Sequence, residues 1–151
     1  MLFGISCLLI AGVVYLKERG APAAPTVAVV SPQPVYGWVN MWSNRLTIGA
    51  GRFTTLHILQ TDKARITVKS EDPVNFGVVA QQVDTSSLTT FDFGQLACAE
   101  TQVVETTREC DVPNRKAFLL VNYPGTRPHL VFDVKIEAWR CTANCPQANR
   151  Q

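Results

Sequence analysis

Leu130, Phe132, Val134, Ile136 and Ala138 share one parity along the chain, while Asp133, Lys135 and Glu137 occupy the other. A period of two sends successive side chains to opposite faces, so this stretch is a half-buried strand and excludes an amphipathic helix. Arg65-Ile66-Thr67-Val68-Lys69 repeats the pattern, with Ile66 and Val68 inward. Leu46 to Ile48, Thr54 to Gln60, Asn75 to Ala80 and Ala117 to Val121 read as further strands. Turn chemistry separates them at Gly49-Ala50-Gly51, at Glu71-Asp72-Pro73 and at Asn122-Tyr123-Pro124-Gly125. Seven or eight short strands predict one antiparallel β-sandwich over residues 36–140, of jelly-roll or immunoglobulin-like type. Its expected core is Ile66, Val68, Phe76, Phe118, Leu120, Leu130, Phe132, Val134 and Ile136.

Ahead of this domain, Met1 to Leu16 carries no charged residue and is closed abruptly by Lys17-Glu18-Arg19. As a helix these residues span roughly 24 Å, short of a hydrocarbon core about 30 Å thick. Snorkelling by Lys17 and Arg19 and an interfacial Tyr15 make up the difference, so residues 1–19 are expected to be one transmembrane signal anchor. Leu2, Phe3, Leu9 and Val13 would be its lateral contacts with neighbouring helices. A cleaved signal peptide competes, given Ala21-Pro22-Ala23-Ala24, but the positively charged start of a signal is missing. Cys7 lies too early in the run for a lipoprotein site. Residues 20–35 are rich in proline and alanine and read as a tether, with Val27 to Val30 as an alternative edge strand.

Four of the five cysteines, Cys98, Cys110, Cys141 and Cys145, fall in the soluble part. An even number in a small exported β domain reads as two disulfides, which places the domain outside the cytoplasm. Lys17 and Arg19 argue the opposite way on the positive-inside rule, but Glu18 between them weakens that signal. Four cysteines allow three pairings; the local one, Cys98 with Cys110 and Cys141 with Cys145, is preferred. Zinc is the competing use of Cys141 and Cys145, in a tail running over 141–151, but only two thiolates are close in sequence.

Leu46-Thr47-Ile48-Gly49-Ala50-Gly51, Ala64 through Val78 with its core Lys69-Ser70-Glu71-Asp72-Pro73-Val74-Asn75-Phe76, and Ala117-Phe118-Leu119-Leu120-Val121-Asn122 together resemble the small secreted bacterial sandwiches related to pre-peptidase C-terminal domains. The resemblance covers about residues 45 to 138. It implies a non-catalytic accessory or interaction module, with Asp72 and Asn122 as turn caps. A calcium site does not carry over, because Asp72, Asp84 and Asp92 form no dense carboxylate loop.

The residue pattern also points away from catalysis. His57 and His129 have no nucleophile or metal set around them, Ser70, Ser86 and Ser87 lack a nucleophile elbow, and no CxxCH haem signature occurs. No enzyme activity and no cofactor are therefore expected. With a formal charge of +2 and no basic cluster interleaved with aromatics, nucleic acid is not an expected partner. Trp38 and Trp42 share a strand parity, and with Arg108 and Glu109 in a polar loop from Glu100 to Glu109 they are the candidate contact residues. The expected function is a non-enzymatic, single-pass accessory subunit of a bacterial inner-membrane complex, of respiratory or photosynthetic kind, its β domain periplasmic. Its partners would be other subunits and, through the helix, the bilayer. The alternative is a tethered binding module for a glycan, peptide or cell-wall ligand.

Overall fold

The computed structural model of the protein describes residues 31–146. The expected anchor with Leu2, Phe3, Leu9 and Val13, most of the tether and the last five residues lie outside the described residues. Within them no helix is long and apolar enough to cross a membrane. The fold is mainly β and antiparallel, with six strands where the turn spacing suggests seven or eight: β1 (Val35–Gly49), β2 (Phe53–Leu59), β3 (Lys63–Val79), β4 (Ala99–Asp111), β5 (Lys116–Asn122) and β6 (His129–Ala143). They join in one sheet ordered β1-β6-β3-β5-β2, with β4 on the other edge of β3. β6 runs past residue 140, so Cys141 belongs to the strand and not to the tail.

β3 changes partners halfway along. Its first half, Ala64 to Ser70, pairs with β6, and its second half, Asn75 to Val79, pairs with β5. β4 follows it throughout, from Lys63 opposite Asp111 to Gly77 opposite Ala99. The stretch from Ala64 to Gly77 would span about 43 Å if straight. Yet Cys98 and Cys110, which flank the matching length of β4, are joined with their Cα atoms 5.7 Å apart. The β3–β4 ribbon must therefore fold back on itself. Ile66 and Val68 from one half meet Val74, Phe76 and Val78 from the other in one buried cluster with Leu119, Val121, Val134 and Ile136.

The fold-back falls at Glu71-Asp72-Pro73, where the sequence suggests a turn that ends the strand. The chain does bend there, but pairing continues, with register shifts between Lys69 and Val74 and between Val74 and Phe76. A bulge absorbs residues that have no partner, and proline, lacking an N–H, fits at such a point. On β4 the matching bend is Gln102, whose φ is 57°. Side-chain amides supply hydrogen bonds at the corner. Asn75 accepts from the Gln102 N–H at 2.9 Å and donates to Asn122, which in turn donates to the Arg52 carbonyl at 3.0 Å. Tyr123, 1% exposed, donates to Asp72 at 2.8 Å, and Arg127 holds the same carboxylate at 3.0 Å. Asp72 and Asn122 thus lock the corner instead of capping separate turns. Gly125 lies against the Tyr123 ring where any β-carbon would collide.

β4 itself corrects the expectation of a polar loop from Glu100 to Glu109. With only Val103 and Val104 as large apolar residues, it shows no alternation of hydrophobicity, but it is rich in Thr and Val and lies on the outer edge of β3, where one half-buried face suffices. Phe118 and Leu120, expected in the main core, are buried in a second cluster with Phe53, Val79 and Phe93. The Ala80 to Cys98 connection roofs the outer face of the β5 region, so β5 is covered on both sides and reads as a continuous apolar run. This roof presses so close that a β-carbon on Gly77 would stand 2.5 Å from Leu96. Among the described residues, no segment covers the outer face of the other half of the sheet, β1-β6-β3-β4.

Candidate functional site

Along the uncovered face, side chains of outward parity form rows across the four strands. Arg45 grips Asp133 with two hydrogen bonds, of 2.8 and 3.1 Å, and Lys69 faces Glu105 at 3.5 Å. Thr67 meets Thr107 at 3.0 Å, Lys135 meets Glu137 at 2.7 Å, and Arg65 meets Glu109 at 2.7 Å. The Arg45 hydrogen bond holds the Asp133 carboxyl below its ordinary pKa, and Asp133 raises that of Arg45. Exposed pairs of this kind are worth little stability individually, so the rows act as a charge-matched surface more than as a structural clamp.

At the end of this face the chemistry changes. Trp38 on β1 and Trp139 on β6 are register partners whose rings meet edge to face at 5.2 Å. Tyr36 lies nearly parallel to Trp139 at 6.5 Å, and the Arg65 guanidinium sits 4.2 Å over the Trp38 ring while Glu109 holds it from the other side. Tyr36 and Trp139 remain 49% and 40% exposed, an unusual degree for large aromatics that already touch each other. Beside them opens a hollow of about 580 Å³ walled by Gln60, Asp62, Arg115, Arg140 and the Cys141–Cys145 pair.

The expected contact residues are divided by this geometry. Trp38 is in the aromatic cluster, but Trp42 is not, because the register runs from Asn40 opposite Glu137 to Trp42 opposite Ile136 and leaves Met41 unpaired. One extra residue reverses every later parity. Trp42 consequently packs against the buried core. Glu109 belongs to the face through Arg65, whereas Arg108 alternates away from it and bonds Glu100 at 3.1 Å. Cys98 and Cys110 are buried and paired, and Cys141 pairs with Cys145, Cα to Cα 5.5 Å, so both couples are local. His57 packs edge-on against Phe118 at 4.7 Å, and His129 opens β6, remote in the fold from the aromatic cluster. Tyr36, Arg65 and Trp139 are the members that sequence reasoning missed. A signal existed for Trp139: it follows Ala138 at the outward parity of the alternating stretch, where Asp133, Lys135 and Glu137 precede it.

No protein-family profile matches the chain, and no curated protein matches its sequence. The site must be interpreted from its own chemistry. Tryptophan, tyrosine and arginine are the residues most enriched where proteins bind partners, and here they gather at one end of the sheet face that no described residue covers.

Proposed function

We propose that this protein is a non-enzymatic accessory subunit of a bacterial membrane assembly, held to the bilayer by residues 1–19, with its β domain, a sandwich of accessory-module type, docked outside the cytoplasm on partner subunits. The observation that carries the reading is the asymmetry of the two outer sheet faces. One is roofed by the chain's own Ala80 to Cys98 segment, and the other, uncovered among the described residues, is charge-matched and tipped with Tyr36, Trp38 and Trp139. The two local cysteine pairs support an oxidising compartment. Purification in mild detergent followed by native mass determination tests it: the chain should travel with other subunits in fixed stoichiometry. Migration as a single chain with lipid alone would overturn the subunit reading.

One observation favours a second reading. The Tyr36–Trp139 platform borders a hollow with hydrogen-bonding groups from Gln60, Asp62 and Arg115, a layout that suits the apolar face and hydroxyl rim of a sugar ring. Saturable retention on a peptidoglycan or glycan matrix, lost in Trp139→Ala, would select this reading over the first.

A further inference from the structure

We infer that the Tyr36–Trp38–Trp139 end of the domain rests in the headgroup layer of the bilayer, so that the aromatic cluster is a lipid contact while the charged rows farther along the same face remain for protein partners. This rests on the reading of Met1 to Leu16 as a membrane anchor. The first support is position. The chain enters β1 immediately beside the cluster, and the entry is pinned: Thr142 donates to the Val35 carbonyl and Asn144 to the Gln33 carbonyl, each at 3.2 Å. Trp139 lies three residues before Thr142 on the same strand. Any tether arriving from the membrane therefore delivers this end of the domain first.

The second support is reach. Between the apolar run and the described domain lie residues 17–30. Fourteen residues can reach no farther than about 50 Å at full extension. A contact made at that range is intramolecular, with an effective concentration on the millimolar scale. A weak interfacial affinity is then enough to populate it.

The third support is chemistry. Tryptophan and tyrosine concentrate at headgroup level because each ring has an apolar body and a polar edge. Val35, 51% exposed, extends the apolar surface at the same end. Beside the cluster Arg65 is paired with Glu109 and Arg115 with Asp62. Binding should therefore need no anionic lipid, and neutral phosphatidylcholine is the probe to use.

The experiment uses the full chain reconstituted in phosphatidylcholine vesicles carrying bromine on the upper acyl chain, with tryptophan fluorescence as the readout. The protein has three tryptophans, and Trp42, packed against the core, serves as an internal reference. Quenching in the parent is expected, with nearly complete loss of it in the Trp38→Phe/Trp139→Phe double variant and a larger quenched fraction in Trp42→Phe. A parent protein that resists alkaline extraction yet shows no quenching overturns the lipid contact and leaves the anchor reading standing. A protein that washes out of the vesicles overturns the anchor reading and the inference with it. Quenching that persists in the double variant also overturns the inference, since it would assign the lipid contact to a different surface.

Discussion

Removing the Cys98–Cys110 pair by a double alanine substitution is the most direct test of how this domain is built. The bond joins the two ends of the folded β3–β4 ribbon, and its partners are twelve residues apart in sequence. Closing a loop of that length removes about 10 cal/mol/K from the unfolded chain, or about 3 kcal/mol at 25 °C. Against a total stability of about 5–15 kcal/mol for a small domain, that is a large fraction. A domain of roughly 115 residues unfolds with an entropy near 240 cal/mol/K, so the midpoint should fall by about 12 °C. Calorimetry on parent and variant measures the shift, and urea unfolding should show a larger slope in the variant, because its unfolded chain is freed to expand. Removing Cys141 and Cys145 instead, a less buried pair only four residues apart, should cost less. A Cys98→Ala/Cys110→Ala protein with the parent's midpoint and slope would refute the reasoning, since the ribbon would then close without the bond.

Phe132→Ala, at a side chain 1% exposed on the inward face of β6, should cost about 3–5 kcal/mol in chemical denaturation. Thiol labelling of the unreduced, denatured residue 36–151 fragment should find no free cysteine, and labelling after reduction should find four. Burial first, and then the hydrogen bond to Asp72, raise the Tyr123 pKa above its ordinary 10.0. The folded state thus keeps its proton where the unfolded chain loses it, so this stabilisation is whole below pH 10 and declines as pH climbs toward the raised value. Tyr123→Phe should flatten the loss of stability above pH 10, and an unchanged alkaline unfolding profile would count against that role. For Asp133, held low by Arg45, the sign is opposite: its contribution is present near neutrality and disappears on acidification, which Asp133→Asn should make visible as a shallower acid limb.

Much of the domain is legible locally. The alternation at Arg65 to Lys69 and along Leu130 to Ala138 identifies the inward residues of β3 and β6, because parity is a property of the strand itself. β4 was illegible for a physical reason: an edge strand needs little hydrophobic surface, so its polar sequence looks like a loop. The turn at Pro73 was half legible. Proline and its acidic neighbours do bend the chain, but whether a bend ends a strand depends on whether the neighbouring strand bends with it, and Gln102 on β4 supplies that answer.

By itself the sequence determined the β class, the inward residues of the two main strands and the presence of four cysteines able to pair, all of which follow from short-range pattern or from counting. Only the tertiary structure decided which residues share a surface. Tyr36, Trp38, Arg65, Glu109 and Trp139 come from four strands, and they meet because of cross-strand register. A single unpaired residue, Met41, sends Trp42 inward while Trp38 stays out. Register is set by the packing of the whole sheet against its core, and no stretch of sequence contains it.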